Sequence, residues 1–220
     1  INPYHIYLSE SQKNNSPIRG KTILIMGDSQ QNDNAIGLGI ARKLGVNIIH
    51  APLGGHRMKY NNNTSAPPYN SWMYHWEARK RVFAVKADYY FLMVSSNDSS
   101  GGGDSSTAAT KAVLDNYPVY GDDEATINAK LALFNALSES EKASIFDYKQ
   151  TYSAFIKQIN TLYPDAKVVL ATIPISTHNA TDNGEWVEGQ NADKQRDLMQ
   201  NVFISIRKDI YELSEKHSAG

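Results

Sequence analysis

The chain has 220 residues, 41% of them hydrophobic, with 22 Lys and Arg against 23 Asp and Glu for a net charge of -1. That length and apolar content suit one large domain with a substantial core, and the balanced charge argues against a general nucleic-acid or anionic-membrane binder. With no cysteine in the chain, disulfides, thiolate nucleophiles and cysteine-ligated zinc are excluded together, while the redox compartment stays open. The longest strongly apolar runs, Thr22 to Met26 and Val168 to Ile175, fall far short of the roughly 20 residues that span a bilayer, so no membrane-spanning helix is expected. The first residue is Ile1 and no signal-peptide pattern follows it, which fits a processed protein or a piece of something longer.

In chain order, Thr22 to Met26 reads as a strand entering the turn Gly27-Asp28-Ser29. Ala35 to Leu44 then carries Ile36, Ile40 and Leu44 at helical spacing, with Gly45 as the stop. Val46 to His50 is a second strand candidate running into Pro52-Leu53-Gly54-Gly55, and 61–70 is a polar, Pro-containing loop. Trp72 to Lys86 reads as a helix. Asp88 to Val94 (DYYFLMV) is too apolar to be half exposed and suits a central parallel strand covered on both faces. A polar, Gly-rich loop follows over Ser95 to Ser106. Ser138 and Glu141 form a capping-box pattern opening one long helix, in which Tyr152, Phe155, Ile159 and Leu162 share a face. Pro164-Asp165 ends it, Lys167 to Thr172 is another buried strand, and Leu198, Val202, Ile206, Ile210 and Leu213 mark a last amphipathic helix.

Strands alternating with helices predict right-handed crossovers and a three-layer α/β/α parallel sheet. Ligands of such sheets bind beyond the carboxyl ends of the strands, so the loops beginning at Gly27, Pro52 and Ser95 are expected to converge on the functional site. Ser29, just past a strand and just before a helix, has the setting of a nucleophile; the same residues, with Asp28 and Asn32, also read as a helix cap. In Leu53-Gly54-Gly55-His56-Arg57-Met58 a glycine leaves room for a backbone N–H to approach a substrate, and Asn97 offers a side-chain amide to a developing oxyanion. Taken singly, the first segment reads better as a helix cap and the other two as turns.

In this order, each just after a predicted strand, the three segments resemble the SGNH (GDSL-type) esterase and lipase family. The resemblance runs from about Gly20 to the chain end and includes the approach Tyr-Pro-Asp-Ala-Lys to the strand VVLATIP. It implies a flavodoxin-like sheet over a domain at 21–220, with 1–20 as an N-terminal extension. It further implies Ser29 as nucleophile, with Gly55 N–H, Asn97 and the Ser29 N–H as oxyanion donors. The substrates it implies are small acyl esters, carbohydrate O-acetyl groups among them; no cofactor and no metal are expected, nor a nucleic-acid or membrane partner, and oligomeric state is left open. An extracellular location is the expectation.

Two departures stand out. Ser95 occupies the position where the third family block usually has Gly, and the Asp-x-x-His that carries the family's catalytic His occurs nowhere in the chain. Since the sequence stops at Lys216-His217-Ser218-Ala219-Gly220 as its last helix ends, truncation before a fifth strand is expected, with no His within reach of Ser29. Of the six His, His178 is the best-placed internal substitute, following the VVLATIP strand with Asp182 close by, but reads better as a solvated loop His; His56 reads as a surface turn, His75 as packed in an aromatic helix, and His217 as part of a fraying terminus. Asp98, Asp104, Asp122 and Asp123 match no EF-hand spacing. Tyr69, Trp72, Tyr74 and Trp76 read either as a sugar-stacking wall or, better, as core packing. A non-catalytic carbohydrate-binding or structural module of an extracellular or phage-type assembly is the alternative to an ester hydrolase.

Overall fold

The computed structural model describes residues 15–28, 35–58, 71–72, 75–94, 98, 108–145, 148–171 and 204–217. Four strands, β1 (Thr22–Gly27), β2 (Asn47–Pro52), β3 (Tyr89–Met93) and β4 (Lys167–Leu170), pair in the order β2-β1-β3-β4, all parallel. The chain moves one way from β1 to β2, then crosses back to place β3 on the other side of β1. With right-handed crossovers, that reversal puts the first helix on one face and the following ones on the other. Accordingly α1 (Ala35–Leu44) covers Ile23 and Ile25 through Ile40 and Leu44. The opposite face, lined by Leu24, Met26, Tyr90, Leu92 and Val168, packs on α2 (Trp76–Phe83), α6 (Tyr148–Leu162) and α7 (Ile204–His217). The result is the expected three-layer α/β/α fold with a flavodoxin-like strand order.

Central β3 explains its own apolar run: Tyr90 and Leu92 are fully buried on one face while Tyr89 and Phe91 pack with Ile23 and Ile25 on the other. At the amino edge Asp88 joins β1, β3 and β4. Its carboxylate accepts from Thr22 N at 2.8 Å and Lys21 Nζ at 2.9 Å, and its carbonyl accepts from Lys167 N at 2.9 Å. Gly45 ends α1 with φ +66°, a conformation that favours glycine, and its N–H bonds Ala41 O.

Two predicted elements differ, and two helices are additional. The helix expected over Trp72 to Lys86 spans only Trp76–Phe83, because Ser71 and Trp72 instead lie against the second loop, Trp72 N donating to Arg57 O at 3.0 Å. The long helix expected from Ser138 is described as α5 (Glu139–Ile145) and α6. Two helices were not expected at all: α3 (Ala108–Asp115) and α4 (Glu124–Asn135). Asp123 is the N-cap of α4, accepting from Thr126 N at 2.7 Å, and Asp122 pairs with Lys130 at 2.7 Å, so both acids have structural partners. Among the described residues no helix is long and apolar enough to cross a membrane.

Candidate active site at the carboxyl edge of the sheet

Register places the last residues of three strands side by side: Gly27 of β1 pairs with Pro52 of β2 and with Met93 of β3. Ser29 follows that line by two residues, Gly55 by three and Asn97 by four. Strand order reverses between β1 and β3 here, the topological switch point at which open α/β sheets bind ligands. Ser29, Asn97 and His178 themselves lie outside the described residues, as do Tyr69, Tyr74, Asp104 and Asp182.

The described residues at this edge are tightly built. The Gly27 carbonyl accepts from Leu53 N at 3.1 Å and from the Trp72 indole at 3.2 Å, fixing the peptide that leads to Asp28, itself 1% exposed. Trp72 is 1% exposed, so it belongs to the core and forms no stacking wall. Gly55 takes φ +74° in the turn after Leu53, and among the described residues its N–H has no hydrogen-bond partner. A backbone N–H in a turn at this edge is the kind of donor an oxyanion needs.

Asp98, also 1% exposed, joins the second and third loops: its Oδ2 accepts from Met58 N at 3.0 Å. Met58 is held again through its carbonyl, which accepts from Ser71 Oγ at 3.1 Å. The residue next to Asn97 in the chain is therefore anchored to the loop that carries Gly55. Sequence reading took Asn97-Asp98 as a unit and gave Asp98 no task of its own; an acid directly beside a candidate oxyanion donor was the available signal.

His56 corrects its sequence assignment. It is 6% exposed rather than on a surface turn, with Nδ1 at 3.3 Å from Gly54 O and Nε2 at 3.0 Å from His75 Nδ1. Its ring stacks on His75 at 5.3 Å and tilts against Trp72 at 5.6 Å. A carbonyl only accepts, so Nδ1 of His56 carries a proton, and a single proton fills the line between the two rings. The pair clamps the Gly54-Gly55 turn to the start of α2. His217 is corrected as well: it lies within α7 and its Nε2 is 2.7 Å from Ser153 Oγ on α6. Burial, with Lys216 and Lys157 nearby, holds its pKa below the ordinary value for histidine.

Comparison with solved structures finds a Parabacteroides merdae protein described as a GDSL-like lipase, at 14% identity and a TM-score of 0.46, covering 91% of this chain and 76% of that one. A GDSL-like lipase is thus among the structural neighbours of this chain. An extracellular lipase of Streptomyces rimosus is similar at 14% identity and TM-score 0.48, over 91% and 79% of the two chains. A Lactobacillus plantarum protein is similar at 10% identity and TM-score 0.46, over 91% and 75%. No protein-family model and no curated protein matches the chain.

Proposed function

We propose that the chain is a serine ester hydrolase of the SGNH type acting on small acyl esters, carbohydrate O-acetyl groups among them. The observation that carries this reading is the side-by-side ending of β1, β2 and β3 at the switch point, with the Asp98 to Met58 hydrogen bond tying together the loops that follow β2 and β3. In the proposed reaction Ser29 Oγ attacks the acyl carbonyl, and the N–H groups of Ser29 and Gly55 with the Asn97 amide stabilise the tetrahedral oxyanion. A histidine takes the Ser29 proton and returns it to the leaving alcohol; water, deprotonated by the same imidazole, then releases the acid. Within the chain His178, which follows β4, is the candidate for that histidine.

Turnover of a short-chain aryl ester tests the assignment. Ser29→Ala should abolish it, and Asn97→Ala should cost about 3 kcal/mol of transition-state stabilisation, the usual loss for one oxyanion donor. Full activity in Ser29→Ala refutes the reading. The missing Asp-x-x-His favours a second one, a non-catalytic carbohydrate-binding or structural module of an extracellular or phage-type assembly. Its signature is binding of an acetylated oligosaccharide that is recovered unhydrolysed.

A further inference from the structure

A groove away from the carboxyl-edge site runs between α3 and α6. One half, about 300 Å³, is lined by apolar Leu114, Val119, Ala154 and Leu162; the other, also about 300 Å³, is lined by Ser153, Lys157 and Lys216, and the two halves share Leu114, Asp115, Ala154 and Lys157. Lys157, Lys216 and Asp115 form no ion pair among the described residues, with one another or with anything else. Elsewhere on the same helices charges do find partners: Lys149 bonds Asp209 at 3.1 Å and Glu212 at 2.5 Å. Asp115 is moreover the last residue of α3, where the helix macrodipole disfavours a carboxylate. Local helix stability therefore does not account for it. Ser153 adds a hydroxyl to the polar half, its Oγ 2.7 Å from Nε2 of His217, whose imidazole is kept from protonating readily by burial and the two lysines.

We propose that this groove binds an apolar α-amino acid, its carboxylate between Lys157 and Lys216, its ammonium on Asp115 and its side chain over Leu114, Val119 and Leu162. Two cations and one anion facing one cleft from separate positions match a zwitterion. All three charges are exposed, so a plain carboxylate would forgo the contact with Asp115 and a plain amine the contacts with both lysines. The groove is lined by none of the residues assigned to ester hydrolysis, so this inference stands apart from that reading.

Titration with L-phenylalanine, followed by NMR of the His217 ring and by calorimetry, tests it. Saturable displacement of the His217 signals is expected. The double variant Lys157→Gln/Lys216→Gln should weaken binding by at least about tenfold, as loss of charge-assisted hydrogen bonds does. The deaminated analogue 3-phenylpropanoate should bind more weakly than phenylalanine to the native protein and equally well to Asp115→Asn. Phenylalanine leaving the His217 signals unmoved at millimolar concentration would overturn the proposal. Binding unaffected by the lysine substitutions, or 3-phenylpropanoate binding the native protein as tightly as phenylalanine, would overturn it as well. Circular dichroism of each variant confirms that the fold persists.

Discussion

The Asp98 carboxylate ties the loop after β3 to the loop after β2. It accepts the Met58 N–H in a setting where both residues are buried, Met58 at 0% and Asp98 at 1% exposure. Asp98→Ala leaves that N–H without its acceptor, at a cost of about 1–3 kcal/mol. By freeing the third loop from the second, it should also lower kcat of the proposed esterase more than it raises KM. Asp98→Asn keeps an acceptor oxygen and should restore both stability and turnover. Urea unfolding with steady-state kinetics on the two variants checks this; a fully active Asp98→Ala would show that the latch does not position the site. The His56–His75 pair acts in the same way on the turn before Met58, since a proton placed on both facing nitrogens would break the 3.0 Å contact.

Helices α4 and α5 each begin at a side-chain cap. Ser138 and Glu141 form a reciprocal capping box: Glu141 Oε2 accepts from Ser138 N at 2.8 Å and Ser138 Oγ accepts from Glu141 N at 3.2 Å. Ser138→Ala should destabilise the protein by about 1 kcal/mol. The Ser138 hydroxyl and N–H hold the Glu141 carboxyl below its ordinary 4.5, and Thr126 does the same for Asp123 below 3.8. Because both folded-state values are depressed, their contribution is complete above the unfolded values and is lost as pH falls through the folded ones. Urea midpoints measured between pH 6 and pH 2 should therefore fall, and fall less steeply in Ser138→Ala; an unchanged slope in that variant would show that the box does not carry the acid dependence. His217 has the opposite charge type but the same sign: its depressed value means stability is lost as pH drops below 6.5 and through the folded-state value.

For the molecule as a whole, the sheet was legible because a strand covered on both faces is written as a continuous apolar run. TILIMG and YYFLM both became β-strands within a residue or two of their expected bounds. The parallel three-layer arrangement followed from alternation with helices and the handedness of crossovers, and the flavodoxin-like strand order from the family resemblance. Less legible were α3 and α4. Among the residues of α4 only Phe134 is buried, so its sequence carries little of the periodic stripe from which a helix is read. Burial of His56 was hidden for a different reason, since its partner His75 is nineteen residues away in sequence and no local pattern announces a pair formed by tertiary approach. The turn at Gly54-Gly55 and the ends of the three strands came from the residues, while the latch through Asp98 needed the fold.

In the proposed esterase the turn after β1 presents a nucleophilic Ser29 to donors from the two neighbouring loops. Mass-spectrometric mapping of the native protein after treatment with a fluorophosphonate tests it most directly, because the reagent needs both an activated hydroxyl and a polarised phosphonyl oxygen. A single adduct on Ser29, absent from Ser29→Ala and from heat-unfolded protein, is the expected result. An adduct on another serine, or none on the native protein, would contradict the account.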